Sequence, residues 1–151
     1  MMWKLKVAAT LAVALVVAGV ASASGDPPIE AQGLAAAKIA QPISIKSKPG
    51  NVAFVQVKVM PGGDFGWHFH RSPVVAAVTA GTLTLYDSSD PKCTPRRITA
   101  GNAFTEAANH VHLARNEGKT PMRIMVAYLG APPGQKPNVP AKTPAQCASI
   151  K

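Results

Sequence analysis

Pro61-Gly62-Gly63-Asp64-Phe65-Gly66-Trp67-His68-Phe69-His70-Arg71 is the stretch on which the fold turns. A Pro-Gly-Gly turn leads into a run in which aromatic and histidine side chains alternate, the pattern of a β-strand with two unlike faces. Alternate residues of a strand point the same way, so His68 and His70 share one face while Trp67 and Phe69 take the other. A second pair at the same spacing, His110 and His112, completes the histidines of the chain. Imidazole is the commonest metal ligand, and two such strands brought together inside a barrel offer three or four nitrogens to one ion. The competing reading is a set of core or surface histidines that never meet.

The flanking sequence continues in short strands. Upstream, Ile43 to Ser47 and Val52 to Val59 alternate with period two; downstream come Val74 to Thr79, a turn at Ala80-Gly81, Thr82 to Tyr86, and a polar loop holding Cys93. Arg97 to Thr99, Ala103 to Glu106, Val111 to Arg115 and Met122 to Leu129 follow, separated by turns at Gly101 and Asn116-Glu117-Gly118. Short strands with regular turn residues argue for an all-β sandwich or barrel rather than parallel β-α units. Alanine-rich Ala31 to Ala40 predicts one or two helical turns, and proline-rich 131–151 predicts an extended tail.

The chain starts Met1-Met2-Trp3-Lys4-Leu5-Lys6, runs through uncharged, apolar Val7 to Val20, and reaches Ala21-Ser22-Ala23. Basic, apolar and small-x-small segments in that order are a secretory signal, with cleavage expected after Ala23. The alternative, an uncleaved anchor, needs roughly 20 apolar residues. The expected organisation is therefore a signal peptide at 1–23, a linker with a short helix at 24–42, a β-barrel at 43–130 and a tail at 131–151, in a periplasmic or secreted protein without stable membrane insertion after cleavage. Export means an oxidising compartment, so Cys93 and Cys147, which lack metal-ligand spacing, are expected to pair. Closing so long a loop is worth roughly 4 kcal/mol in the chain-entropy model.

The formal charge of +9, of which Lys4 and Lys6 belong to the signal, draws anions to the surface. The basic residues are scattered and lack the interleaved aromatics that stack bases, which argues against nucleic acid as a partner. There is no Gly-x-Ser-x-Gly elbow, no phosphate-cradling glycine loop and no cysteine with a histidine beside it in sequence.

The residues from Val52 to Leu129 resemble the cupin family. Its first motif is glycine, five residues, His-x-His, three or four residues, glutamate, six residues and glycine; Gly62, His68, His70 and Gly81 fall in register. Its second is glycine, five residues, Pro-x-Gly, two residues, histidine, three residues and asparagine; Gly101, His112 and Asn116 fit. The resemblance implies a cupin-type β-barrel (double-stranded β-helix or jelly roll) and a divalent transition metal ion (Fe, Cu, Ni, Mn or Zn) on His68, His70 and His112. Members often dimerise, though no strand here announces an interface.

Two departures bear on function. Val74 stands where the family has its glutamate ligand, and Ala107-Ala108-Asn109 replaces Pro-x-Gly, with Asn109 able to take the left-handed conformation of that glycine. Three neutral imidazoles without a carboxylate leave an ion fully charged, with an open position, and hold hard metals less well. His110 is a candidate fourth ligand or orienting group and, with Glu106, a candidate catalytic acid or base should the chain be an enzyme. Glu106 and Asp64 read first as solvated strand-end or turn residues, with ligand or general base as the alternative. Asn116 reads as a turn residue, Met60 and Phe54 as core, and Trp67 as either core or pocket rim. Two functions stand side by side: a binding protein that holds a metal or small ligand, and a metal-dependent enzyme of oxygenase or isomerase type acting on a small compound, with a structural role third.

Overall fold

Alternation along Met122-Arg123-Ile124-Met125-Val126-Ala127-Tyr128 drives every second side chain inward: Met122, Ile124, Val126 and Tyr128 are buried and those between are not. The computed structural model describes residues 33–150, so the expected signal at 1–23 lies outside them. The strands are β1 (Lys38–Ile39), β2 (Asn51–Val59), β3 (Asp64–Phe69), β4 (Val74–Ala80), β5 (Thr82–Asp87), β6 (Arg96–Thr99), β7 (Asn102–Glu106), β8 (His112–Arg115), β9 (Met122–Ala131) and β10 (Val139–Pro140), followed by a 3-10 turn at Ala145–Cys147.

They form two five-stranded sheets, ordered β1-β7-β4-β9-β2 and β10-β3-β8-β5-β6. All pairings are antiparallel except β1 with β7. Between the sheets, Val74, Ala76 and Val78 of β4 and the inward residues of β9 pack with Leu83, Leu85, Ile98, Phe104 and Ala114. This is the cupin-type jelly roll that the motifs imply. A second cluster, Trp67, Tyr86, Leu113 and the bonded cysteines Cys93 and Cys147, lies on the other face of the β3 sheet. Trp67 is thus core, not pocket rim.

Several local expectations differ from the structure. Among the described residues of the alanine-rich stretch there is no helix; Lys38–Ile39 instead pairs parallel to Asn102 and Ala103. Helix propensity is a weak prior, and an open strand edge on β7 overrides it. Ile43 to Ser47 is not a strand despite its alternation, because alternation gives a strand two faces but does not supply a partner. Phe54 is 76% exposed and Met60 54% exposed, so neither is core. Phe54 lies on β2, an edge strand of its sheet. The proline-rich tail adds the short strand β10 to β3 and is held at buried Cys147.

Asn109 has φ 60°, the left-handed conformation expected there, and its N–H donates to the His70 carbonyl at 2.6 Å. Buried Asn116 closes its turn: its amide nitrogen donates to the Val59 and Thr120 carbonyls at 2.9 and 2.8 Å, and its oxygen accepts from Gly118 N–H at 3.0 Å.

Candidate metal centre

Two cross-strand pairs, one from each sheet, build the centre. In the first, His68 of β3 stands opposite His112 of β8. His70 follows one strand repeat after His68, just past the end of β3. The three rings cluster with centroids 4.4, 4.9 and 5.1 Å apart, and one nitrogen from each lies within 4.8 Å of the others. All three are buried.

Main-chain carbonyls set how each ring presents its nitrogens. His68 Nδ1 lies 2.8 Å from the Gly66 oxygen, His70 Nδ1 2.9 Å from the Pro137 oxygen and His112 Nδ1 3.0 Å from the His110 oxygen. A carbonyl only accepts, so each Nδ1 carries the hydrogen and donates it. In the neutral ring Nε2 is then the lone-pair nitrogen, the form in which imidazole binds a metal, with the second nitrogen anchored as in known metal sites. Burial pushes His68 down to about 4. His112 is also lowered, first by burial, though the Glu106 charge opposes this.

The second pair is Val74 of β4 opposite Glu106 of β7. Directly opposed residues of antiparallel strands project from the same face. Glu106 therefore presents a carboxylate from the neighbouring strand on the face that Val74 occupies. Glu106 is not the solvated strand-end residue that its sequence position suggests: its side chain is 8% exposed, with one oxygen 3.1 Å from His70 Nε2 and the other 3.0 Å from His112 Nε2. Burial alone would raise Glu106, but the His70 contact and the positive charge that the imidazoles can carry hold it below the ordinary carboxylate range.

This arrangement lacks hydrogens. Neutral rings that donate through Nδ1 turn acceptor nitrogens toward acceptor oxygens, and buried His112 Nε2 makes no hydrogen bond although the Glu106 oxygen is 3.0 Å away. Acceptors meet at such distances only around a proton or a cation. Three imidazole nitrogens and one carboxylate form a donor set that suits a divalent transition ion.

The remaining candidates lie elsewhere. The His110 side chain turns to Asp87, Nε2 to Oδ1 2.6 Å, and joins the centre only through its carbonyl. Asp64 pairs with Arg115 at 2.8 Å. Sequence reasoning did not find two further contributors, the Pro137 carbonyl and Tyr128, whose ring centroid is 5.3 Å from that of His70. The cavity at the centre holds only about 30 Å³ and is lined by Val74, Phe104, Ile124, Val126, Tyr128 and Asn138 beside the histidines and Glu106. A separate cavity of about 270 Å³ shares Glu106 and His112 and adds Arg96, Thr105 and His110.

Comparison with known proteins agrees with this architecture. A family model described as the cupin domain matches residues 55–128. No curated protein matches the chain. Among solved structures, the DMSP lyase DddQ from Ruegeria pomeroyi aligns at 20% identity over 60% of this chain and 43% of its own, with a TM-score of 0.51. The polyketide cyclase RemF from Streptomyces resistomycificus aligns at 17% identity over 66% and 68%, TM-score 0.51. A cupin-family protein with a double-stranded β-helix fold from Methanocaldococcus jannaschii aligns at 17% over 59% and 83%, TM-score 0.50. The alignment thus spans less than half of the lyase, and at these identities the likeness concerns the fold. With both histidine motifs in register, two facing sheets and this family match, the chain belongs to the cupin superfamily.

Proposed function

We propose that this chain is an exported cupin that holds one divalent transition metal ion on Nε2 of His68, His70 and His112 and on the carboxylate of Glu106. The observation that carries the reading is the convergence of both Glu106 oxygens on Nε2 of two Nδ1-anchored imidazoles at 3.1 and 3.0 Å, distances that call for a proton or a cation between them. Glu106 restores a net negative charge to the donor set, which offsets the loss at Val74 and favours iron and manganese as well as zinc, nickel and copper. The bonded cysteines support the export reading, since structural disulfides belong to oxidising compartments.

A cavity of about 30 Å³ has room for an ion with water-sized company, whereas drug-sized ligands occupy roughly 300–1,000 Å³. That favours metal holding, or chemistry on molecules of a few atoms, over turnover of a bulky organic compound inside the barrel. A bound ion would supply Lewis acidity and an activated water. The cavity of about 270 Å³ next to Glu106, with Arg96 on its wall, supports a second reading as an enzyme acting on a small anionic compound that reaches the centre from that side.

Calorimetric titration of the metal-free chain with Mn²⁺, Fe²⁺, Co²⁺, Ni²⁺ and Zn²⁺ tests the first reading. One equivalent should bind to the wild type and none to a His68→Ala, His112→Ala chain. Equal binding by both removes the histidine site. For the second reading, Arg96→Ala should weaken binding of small carboxylates to the metal-loaded chain and leave its affinity for the ion unchanged.

A further inference from the structure

The three histidines are not oriented in the same way. His68 and His112 donate to carbonyls two residues earlier, at Gly66 and His110, so the chain just before each ring aims it. His70 donates to Pro137, 67 residues away in the tail. One of three proposed ligands is thus aimed by a segment outside the barrel strands that carry them.

The tail reaches the centre by a narrow attachment. β10 pairs for two residues with Phe69 and His68, and Ala141 N–H donates to the Trp67 carbonyl at 2.8 Å. Asn138, next to Pro137, lines the central cavity and lies 3.4 Å from the Tyr128 hydroxyl. Beyond it, the tail is fixed by the Cys93–Cys147 bond, whose Cys147 is fully buried with Trp67, Tyr86 and Leu113. Gln146 adds one hydrogen bond to the Ser88 carbonyl. Proline at 132, 133, 137, 140 and 144 deprives the segment of amide hydrogens that could pair elsewhere. The disulfide is therefore the main covalent and apolar anchor of a segment that otherwise holds by a few main-chain bonds.

We propose that the tail from Pro137 to Cys147 is a disulfide-latched strap that positions His70 and walls the metal centre, so that opening the Cys93–Cys147 bond loosens the grip on the ion. The proposal rests on the metal reading for its last clause only. The redox step is ordinary exchange: a dithiol reductant attacks the Sγ–Sγ bond, and two electrons and two protons convert Cys93 and Cys147 to thiols. The reductant leaves as its own disulfide. His70 then loses its acceptor, and loss of such an orienting partner lowers metal affinity by roughly 10–100-fold.

Two readouts keep the strap and the metal site separable. In the metal-free chain, nitrogen NMR of the imidazoles should show Nδ1–H on all three rings of the oxidised wild type. In a Cys93→Ser, Cys147→Ser chain, His70 alone should lose that preference. In the Co²⁺-loaded chain, the same variant and the phosphine-reduced wild type should release the ion to a chelator roughly 10–100-fold more readily, with an altered visible spectrum. A chain ending at Gln135 should behave like them. Gly101→Ala, which strains the β6–β7 turn at φ 85° where the main chain bonds only Val78 and Lys38, should keep the wild-type spectrum and so separate lost positioning from general loss of stability. An unchanged His70 tautomer in the opened chains overturns the strap whether or not metal binds. An altered tautomer with wild-type Co²⁺ affinity and spectrum overturns the claim that the strap governs the ion. A wild type that binds no Co²⁺ overturns the metal reading and that last clause, while the tautomer result still decides the strap.

Discussion

Glu106 carries a cost that a proton on a neighbouring imidazole or a bound cation offsets. Its carboxylate is buried against two lone-pair nitrogens, and an unpaired buried charge is expensive. Glu106→Gln replaces one oxygen by an amide that can donate to Nε2, so the metal-free variant should be at least as stable as the wild type, while its metal affinity should fall about tenfold or more. Thermal melts and metal titration of the same samples measure both. Moving the carboxylate across the strand pair, by Val74→Glu with Glu106→Val, should return much of the affinity, since the two positions share a face. His68 supplies a pH test. Its folded value of about 4 lies below the ordinary 6.5, so the unfolded chain binds more protons between those values. Stability of the metal-free chain should fall as pH drops through that window, by about 3 kcal/mol in all. Urea denaturation at pH 7 and near pH 4 reads the change, and a stability that rises on acidification would contradict the neutral, buried ring.

At the scale of elements, the turn between β7 and β8 joins Glu106 to His112 through Asn109, held at φ 60°. Glycine tolerates that conformation, whereas a Cβ without a local hydrogen-bonding group costs roughly 1–2 kcal/mol there. Asn109→Gly should leave stability near the wild type and Asn109→Ala should lower it by about that amount, as measured by chemical denaturation. What was legible in the sequence follows the range of the cause. His68 and His70 share a face because the strand period is two, a local rule visible in the residues themselves. The bringing together of Val74 and Glu106 depends on how β4 meets β7, which neither strand's own pattern specifies. The same reason explains Lys38–Ile39, whose helix-prone surroundings yielded to an open edge on β7, and Ile43 to Ser47, whose alternation met no partner. Pro137 was beyond reach altogether, because its role lies in a carbonyl that every residue possesses.

For the molecule as a whole, two facing sheets bring three histidines and one carboxylate together across the core, and a tail bonded through Cys147 closes the side. The disulfide should matter to stability as well as to the centre: opening it should cost roughly 4 kcal/mol in the chain-entropy model, seen as a lower melting temperature in the Cys93→Ser, Cys147→Ser chain. The most direct test of the account is elemental analysis of Ser24 to Lys151, produced without a histidine tag in an oxidising compartment, beside the His68→Ala, His112→Ala and Glu106→Gln chains. The account predicts about one equivalent of a divalent transition metal in the wild type, less in the Glu106 variant and none in the double histidine variant. A wild type without metal, even after reconstitution with each ion in turn, would contradict it.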